Sequence, residues 1–290
     1  MDAMARGTPL HDSGRRAVLK GLLALGVGTI TGGIAHGFAY ERHRVQVSHV
    51  EVPVHGLAPE MSGIRIALLT DTHRSETVSR ADIEDAVTAA LASAPDLIVL
   101  GGDYVTWGNR AYVEDSAESL ARLTAPHGVF AILGNHDDDR HMPAALSRRG
   151  ITVLRDARTA VSLRGRRVDL VGLRFWTRRL HEVARLIDPA SPLTVLLAHD
   201  PRRLREAAAL DVPLVLSGHT HGGQVVLPGL GAPLARKFPV VAGLARQRRT
   251  AIYVSRGIGT VYLPVRVNCP PEVAILTMRV LTPTEGGLRC

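Results

Sequence analysis

Two histidines that lie two positions apart, His219 and His221, follow an apolar run and are bracketed by glycines. Alternate side chains of an extended segment share one face, so both imidazoles can point into one site at the end of a strand. Imidazole is the commonest neutral metal ligand in proteins. A lone His-x-His pair also occurs by chance in surface turns, so its meaning depends on the donors that the rest of the chain can add.

Four polar clusters follow strand-like apolar runs upstream of this pair: Asp71-Thr72-His73, Gly102-Asp103, Gly134-Asn135-His136-Asp137 and His199. Together with the pair they offer two carboxylates, four imidazoles and one amide: Asp71, His73, Asp103, Asn135, His199, His219 and His221. One metal ion rarely takes so many protein ligands, whereas two ions that share a bridging carboxylate would use them well. Nitrogen and oxygen donors without thiolate favour Mn, Fe, Zn or Co over Ca or Mg. Paired metals are a standard means of in-line displacement at phosphorus, so these donors indicate phosphoester chemistry.

The clusters need a scaffold that brings strand ends together, and the first half of the chain predicts one. Apolar strands are expected at 64–69, 96–100 and 128–133, each ending at a cluster, and helices at 79–92, 111–123 and 141–149. Ser79 is the expected N-cap of the first of these helices, with Asp82 in its first turn. In alternating α/β sheets, ligand groups gather beyond the carboxyl ends of the strands, where all three clusters fall.

The second half of the chain is predicted to be richer in strands. Strands are expected at 151–154, 160–163, 168–173, 193–198, 214–216, 224–227, 251–254 and 272–281, helices at 179–187 and 201–210, and an edge strand at 44–54. The simplest packing is an α/β fold in which a two-sheet β-sandwich is flanked by helices. Residues 228–249 form an irregular insertion that mixes leucines with arginines. It is either a solvated loop with some core-facing side chains or a lid that touches a membrane surface.

Composition sets outer bounds on the function. At 290 residues, the chain without its first forty fits one large domain or at most two. Its net charge is +8, and residues 1–40 carry four basic and two acidic side chains, which leaves a mild +6 for the remainder. That charge suits anionic substrates or an anionic membrane surface. No nucleic-acid partner is expected, because aromatic residues make up only 4% of the chain and no nucleic-acid motif is present. The two cysteines, Cys269 and Cys290, exclude a Cys-rich metal site and argue against a structural disulfide.

The N-terminal forty residues are predicted to direct export. The paired Arg15 and Arg16 precede two apolar residues and a lysine, and 21–40 contain no Lys, Arg, Asp or Glu. This segment resembles the twin-arginine signal that the bacterial exporter of folded proteins recognises. Residues 1–40 are therefore interpreted as a signal, cleavable after Ala39, or as a retained membrane anchor, and 41–290 as the catalytic domain. Either alternative places the catalytic domain outside the cytoplasm, in the cell envelope.

The ordered clusters also resemble a known family. Asp71-Thr72-His73, Gly102-Asp103, Gly134-Asn135-His136-Asp137, His199 and Gly218-His219-Thr220-His221 are similar to the D-x-H, G-D, G-N-H-D/E, H and G-H-x-H signature of the calcineurin-like metallophosphoesterases. The resemblance covers 45–281 and implies a four-layer α/β/β/α fold. It implies one divalent ion held by Asp71, His73 and His221. It implies a second held by Asn135, His199 and His219, with Asp103 bridging the two and the metals being Mn, Fe or Zn.

The activity that the resemblance implies is hydrolysis of phosphodiesters or phosphomonoesters by a metal-bridging hydroxide. His136 directly follows the ligand Asn135 and is predicted to lie over the phosphate. There it would protonate the departing oxygen or stabilise negative charge. Asp137 is predicted to orient His136 or a ligand imidazole.

Weaker motifs at 218–224, 255–259 and 268–272 resemble the exported or membrane-associated phosphodiesterase branch of this family. That branch includes twin-arginine-exported cell-wall enzymes and relatives that act on lipid-linked phosphoesters, so small-molecule or lipid phosphoesters of the envelope are the expected substrates. A nucleotide or cyclic-nucleotide phosphodiesterase is the alternative, disfavoured because no nucleobase-stacking aromatics are evident near the motifs. A non-catalytic metal-binding envelope scaffold is a third alternative, which the intact Asp71, Asp103, Asn135 and His136 argue against.

Overall fold

The computed structural model describes residues 12–282. Its helices are α1 (Asp12–Ala39), α2 (Arg80–Ala92), α3 (Val113–Ser119), α4 (His141–Ser147), α5 (Leu180–Ala184) and α6 (Leu204–Ala209). Its strands are β1 (Gln46–Val54), β2 (Arg65–Leu69), β3 (Leu97–Leu100), β4 (Val129–Ala131), β5 (Thr152–Val153), β6 (Ala157–Leu163), β7 (Arg166–Gly172), β8 (Thr194–Leu197), β9 (Leu214–Ser217), β10 (Gly243–Gln247), β11 (Thr250–Val254) and β12 (Glu272–Val280). The side chains of Arg15 and Arg16 and the whole of Cys290 lie outside the described residues, so the twin-arginine signal stays a prediction.

The strands form two six-stranded sheets. The first has the order β1-β12-β2-β3-β4-β5, in which β12 runs antiparallel to β2 and the other neighbours are parallel. The second has the order β10-β11-β9-β8-β7-β6, with a parallel centre and an antiparallel pair at each edge. The predicted α/β sandwich of two sheets is therefore confirmed. The carboxyl ends of β2, β3 and β4 meet at one edge of the first sheet, and those of β8 and β9 meet at one edge of the second.

Alternation along the strands creates the layers. In β2, Ile66 and Leu68 pack between the two sheets, whereas Ala67 and Leu69 pack under α2, α3 and α4. In β9, Leu214 and Leu216 face the other sheet, and Val215 packs with α5 and α6. Successive strand side chains point to opposite faces, so strands buried on both faces read as continuous apolar runs. Full burial of one such leucine stabilises the fold by about 1.5–3 kcal/mol. The result is four layers, with helices outside both sheets.

Helix α2 begins as its sequence indicates. The Ser79 hydroxyl accepts a hydrogen bond from the Asp82 backbone amide at 3.2 Å, and the Asp82 carboxylate accepts one from the Ser79 amide at 2.9 Å. This reciprocal pair is a capping box, which satisfies two amides that have no partner inside the helix. The capped helix lies directly behind the loop that leaves β2.

Two expectations for the second half were wrong. Residues 224–227 do not form a strand, because Gln224 adopts a left-handed φ of 56° and Val225 makes only an isolated bridge to Val267. The insertion at 228–249 is not irregular throughout, since 243–247 form β10, which pairs with β11. The hairpin was hidden because the burial along β10 does not alternate strictly. In the first half, the helix expected at 111–123 is shorter, since α3 ends at Ser119.

Helix α1 ends against the segment that precedes β12. The amide of Arg266 donates to the Gly37 carbonyl at 3.3 Å, and the Cys269 amide donates to the carboxylate of Glu41 at 2.6 Å. Across residues 12–282, no helix combines the length and the apolar character needed to cross a bilayer. The end of α1 is thus fastened to the segment that precedes β12.

Removing the α2 cap should weaken the domain. Ser79→Ala is expected to lower the free energy of unfolding by about 1 kcal/mol, because the Asp82 amide loses its acceptor. Urea denaturation measures the change. Thr88→Ala, on the exposed face of the same helix, is the control and should shift stability by less than about 0.5 kcal/mol. Equal losses in the two variants would contradict the capping role.

Candidate metal centre

Five of the seven predicted metal donors have left-handed backbone, which residues other than glycine rarely adopt. Their φ angles are 54° at Asp71, 47° at His73, 57° at Asp103, 73° at His219 and 52° at His221. Such conformations cost about 1–3 kcal/mol each and persist only where the surrounding structure enforces them. Strain of this kind concentrates at functional sites, so the backbone alone singles out these loops.

The first group of donors comprises Asp71, His73 and His221, all buried, with ligand atoms within 4.8 Å of one another. His221 Nε2 lies 3.4 Å from Asp71 Oδ1 and 3.1 Å from His73 Nε2. The loops after β2 and β9 supply these residues. Two imidazole nitrogens and a carboxylate oxygen that converge in this way can hold one divalent cation.

The second group comprises Asp103, His199 and His219, again with ligand atoms within 4.8 Å of one another. Asp103 Oδ2 lies 3.0 Å from His199 Nε2 and 3.6 Å from His73 Nε2, which belongs to the first group. A single carboxylate oxygen therefore lies between the two groups. This is the position that a ligand shared by two cations must occupy.

Asn135 adds the amide donor that the sequence predicts. Its Oδ1 is buried and has no hydrogen-bond partner among residues 12–282, and the same is true of His221 Nδ1. An unsatisfied buried polar atom costs about 1–3 kcal/mol, so the side-chain oxygen of Asn135 calls for a partner such as a cation. The two groups of nitrogen and oxygen donors, together with the unsatisfied amide oxygen of Asn135, are therefore suited to bind a pair of divalent ions.

Hydrogen bonds orient the donors. The Nδ1–H of His199 donates to the Gly101 carbonyl at 2.7 Å, which leaves the Nε2 lone pair for a metal. The Asp71 carboxylate accepts from the His219 amide at 3.0 Å and from the Thr70 hydroxyl at 2.7 Å. His199 and Asp71 are thus each held by a loop from the opposite sheet.

Burial sets the charges of the imidazoles. It lowers the pKa of His73 and of His219 to about 3, and lowers that of His221 well below its usual value. Burial would also lower the pKa of His199, but the charge of the adjacent Asp103 raises it to about 10. His73, His219 and His221 are therefore neutral at pH 7, whereas His199 must release a proton when it coordinates a cation.

Asp137 has a different contact from the one that the sequence suggested. Its carboxylate accepts hydrogen bonds from the amides of Asp103 at 2.8 Å, Tyr104 at 2.7 Å and Gly134 at 2.8 Å. Its partners are backbone amides of two ligand loops rather than an imidazole. Burial raises the pKa of Asp137 to about 7, and the charge of Asp103 adds to the rise. Asp137 therefore ties the loop after β3 to the loop after β4.

His136 lies beside the first group, with its ring 5.0 Å from that of His73. Its backbone amide donates to Asp103 Oδ1 at 2.8 Å, and its side-chain Nδ1 accepts from the Trp107 amide at 3.1 Å. A neutral ring whose Nδ1 is an acceptor carries its proton on Nε2. Burial lowers the pKa of His136, partly opposed by Asp103, so the ring is a neutral donor at pH 7.

Arg266 is a functional candidate that sequence reasoning missed. Its buried guanidinium donates to the carbonyls of Cys269 at 2.9 Å, Arg256 at 2.9 Å and Gly259 at 2.6 Å. The loop at 256–259 in turn packs against Asp71 and Thr72. Arg266 therefore braces the backbone behind the first group of donors. Nothing in its local sequence signals burial, because its partners are main-chain carbonyls.

Aromatic side chains surround the centre, which contradicts the expectation that none lies near the motifs. The Trp107 ring is 4.5 Å from that of His136, and the rings of Phe175 and Phe238 are 5.3 Å and 5.2 Å from that of His219. The argument against nucleotide substrates that rested on missing aromatics was therefore wrong. Phe175 and Phe238 lie far from the motifs in sequence, whereas Trp107 is only four positions after Asp103, so the sequence did contain a signal for it.

The centre leaves no space for a side chain at position 134. A Cβ on Gly134 would overlap the carboxylate of Asp103. Gly134→Ala is therefore expected to displace Asp103 and release bound metal, which elemental analysis after dialysis would show. Gly33→Ala is the control, because a Cβ there meets no atom within 4 Å. Full metal content in the Gly134 variant would contradict the requirement.

Asp137→Asn should loosen both ligand loops. The side-chain amide of Asn has only one acceptor oxygen, because its nitrogen donates, so it cannot accept all three backbone N–H groups. We therefore expect about 10–100-fold weaker metal binding. Competition with a chromogenic chelator measures the affinity. Asp139→Asn is the matched control, since the Asp139 side chain is exposed and pairs with Arg155 and Arg174. Similar affinities in both variants would assign Asp137 no part in holding the loops.

Comparison with known proteins agrees with this geometry. Residues 64–223 match the calcineurin-like phosphoesterase family. The chain is 30% identical over 280 residues to the uncharacterized metallophosphoesterase YkuE of Bacillus subtilis, covering 91% of this chain and 97% of that protein. It is 34% identical over 260 residues to phosphodiesterase YaeI of Escherichia coli, covering 83% and 93%. A solved archaeal phosphodiesterase aligns with 13% identity and a TM-score of 0.41 over 68% of this chain and 87% of that one. The chain belongs to the calcineurin-like metallophosphoesterases and is a metal-dependent phosphoric ester hydrolase with a dinuclear metal centre.

Proposed function

We propose that the enzyme hydrolyses phosphodiesters, and that it does so outside the cytoplasm on envelope or lipid-linked substrates. The observation that carries the preference for diesters is a pair of cavities that share one wall. A groove of about 500 Å³ is lined by Thr106, Trp107 and Tyr262, among others. A smaller cavity of about 190 Å³ is lined by His219, His221 and Phe238, among others. Val261, Tyr262 and Leu263 line both.

Both cavities adjoin residues of the metal centre. The smaller one contains two of the donor histidines in its wall. The larger one includes Thr106, whose hydroxyl lies 3.1 Å from Nδ1 of the donor His73. A phosphodiester carries two ester substituents and a monoester only one. The two cavities share the wall at 261–263, and the smaller one is lined by donor histidines, so together they can accommodate both arms of a diester.

The residues of the chain divide the work of catalysis. Divalent cations, when bound, polarise phosphoryl oxygens and lower the pKa of water towards neutrality. Asp71, His73 and His221 would hold one, Asn135, His199 and His219 the other, and Asp103 would contact both. His136 supplies a neutral Nε2–H beside this cluster, positioned to donate a hydrogen bond that stabilises the negative charge on the phosphoryl group or on the departing ester oxygen. Asp137 and Arg266 act on the backbone that carries these groups.

The site of action is inferred from the N-terminus. Arg15 and Arg16 lie in a segment that resembles a twin-arginine signal, which implies the corresponding export machinery as a partner. The similarity to a protein named phosphodiesterase supports diester substrates. Whether the signal is removed or retained, the enzyme would then meet phosphodiesters of the envelope rather than those of the cytoplasm.

A nucleotide phosphodiester remains the second candidate, because an aromatic pair lines the larger groove. The rings of Trp107 and Tyr262 lie 5.3 Å apart in a T-shaped arrangement, and exposed aromatic faces can stack a nucleobase. Turnover by the metal-loaded full chain separates the candidates. Bis-p-nitrophenyl phosphate should be hydrolysed faster than p-nitrophenyl phosphate, and a glycerophosphodiester faster than a cyclic nucleotide. Preference for the monoester would refute the diester assignment, and inertness towards every substrate would favour the scaffold alternative.

Two substitutions test the division of roles. His136→Ala should keep both metals and lower kcat by about 10²–10⁴, because the ring donates but does not coordinate. Asp103→Ala should lose metal and activity together, since one carboxylate oxygen serves both groups. His141→Ala is the control, because that histidine is exposed and bonds Asp138. Loss of metal from the His136 variant would reassign the residue as structural.

A further inference from the structure

An exposed apolar rim, defined as Trp107, Trp176, Leu234, Tyr262 and Leu263, surrounds the opening of the metal centre. The exposed fractions of these residues are 66%, 68%, 70%, 76% and 61%, respectively. The chain contains only two tryptophans, and both lie in this rim. Scattered exposed apolar residues are ordinary, but a contiguous set around an active site indicates a surface that another phase or molecule covers.

Each rim residue is connected to the metal centre by ring contacts or by a shared cavity wall. Trp107 packs on His136 at a ring distance of 4.5 Å and on Tyr262 at 5.3 Å. Leu234, Tyr262 and Leu263 line the smaller cavity. On the other side, the Trp176 ring is 4.8 Å from that of Phe175, which is 5.3 Å from that of His219. The two tryptophans therefore flank the opening from opposite sheets.

Cations flank the same opening. The guanidinium of Arg178 lies 5.5 Å above the Trp176 ring, and the ammonium of Lys237 lies 5.3 Å above the Phe238 ring. Both side chains are exposed, and no carboxylate in the described part of the chain forms an ion pair with either. Glu76, in the larger groove, is an exposed acid on this face. Tryptophan and tyrosine beside unpaired cations are the residues that favour the interface of an anionic bilayer.

Helix α1 leaves the domain beside the rim. Gly37 packs against the backbone of Arg266, three positions after Leu263, and Phe38 and Ile34 are 47% and 51% exposed. Arg42 makes a second contact, because its guanidinium donates a hydrogen bond to the carbonyl of Thr77 in the wall of the larger groove. The end of α1 therefore contacts the segment that follows the rim residue Leu263, and it carries exposed apolar side chains of its own.

We propose that the rim docks on an anionic phospholipid bilayer, so that the metal centre opens onto the lipid headgroups. The proposal deepens the proposed function, on which it rests, by naming a bilayer as the surface that presents the phosphodiester. Trp107, Trp176 and Tyr262 enter the interface, and Arg178 and Lys237 meet anionic headgroups. A free soluble substrate needs none of this exposed apolar surface.

Tryptophan fluorescence tests the docking directly, because both tryptophans belong to the rim. The metal-loaded full chain is titrated with vesicles of phosphatidylglycerol and phosphatidylcholine, and with vesicles of phosphatidylcholine alone. With the anionic vesicles, emission should shift to shorter wavelength, become quenched by brominated lipid and become protected from iodide. Trp107→Phe and Trp176→Phe isolate each reporter. Unchanged, iodide-accessible emission from protein that sediments with vesicles would overturn the proposal, since α1 alone would then bind.

A charge substitution sharpens the test. Arg178→Gln should weaken binding to the anionic vesicles about fivefold, the effect of one basic residue near a charged surface, and leave binding to neutral vesicles unchanged. Arg122→Gln is the matched control, because Arg122 is exposed and precedes β4 at the opposite end of the sheet. Equal effects of the two substitutions would overturn the electrostatic part. An emission change with a soluble nucleotide diester but none with vesicles would overturn docking in favour of base stacking.

Turnover of bis-p-nitrophenyl phosphate in the same samples separates this proposal from the proposed function. If the protein hydrolyses the substrate but its tryptophans stay exposed to water, the docking proposal is overturned and the phosphodiesterase activity stands. Inert protein whose tryptophans enter the bilayer would refute the phosphodiesterase activity and support the docking.

Discussion

The structure depends on the placement of one carboxylate. Asp103 Oδ2 lies 3.0 Å from His199 Nε2 and 3.6 Å from His73 Nε2, so a single oxygen joins two groups of donors. The other carboxylate oxygen of Asp103 accepts a hydrogen bond from the His136 amide. The backbone amide of Asp103 donates a hydrogen bond to the Asp137 carboxylate. Gly134 has no side chain, and a Cβ at that position would displace the carboxylate of Asp103. The loops after β3 and β4 are thus shaped around Asp103. The two groups of metal donors share a ligand only because these loops keep the Asp103 carboxylate in place.

Strain and polarity explain why so much structure surrounds so few ligands. Asp71, Asp103 and His221 adopt left-handed backbone that the isolated loops would not favour. Buried carboxylates and imidazoles also lose the solvation that water would give them. Asp137 and Arg266 offset part of this cost by satisfying the backbone groups of the strained loops. Preorganisation of this kind keeps the donors from relaxing towards each other or towards solvent. Bound cations would then neutralise the buried carboxylates.

The sequence predicted the parts of the site that are local and missed those that are not. Five motifs after apolar strands indicated which side chains would converge, because the ends of neighbouring parallel strands must meet. The capping box of Ser79 and Asp82 was readable because both partners lie within one turn. The contacts of Asp137 and Arg266 were not, since their partners are backbone groups placed by tertiary structure. Phe238 was overlooked for the same reason, because only the folded chain brings it to His219, whereas Trp107 lies four positions after Asp103 and could have been noted.

The position of β1 bears on how the chain assembles. It is an edge strand paired in parallel with β12, whereas β2, the strand that follows it in sequence, lies two places away on the far side of β12. A ribosome releases the chain from its N-terminus at about 5–20 residues per second, so residues 46–54 must wait until 272–280 have been synthesised before their partner emerges. Such distant pairing forms late in folding. Arg266 and the segment that fastens α1 emerge at the same late stage, so a nascent chain carries its ligand loops before it carries the brace that holds them.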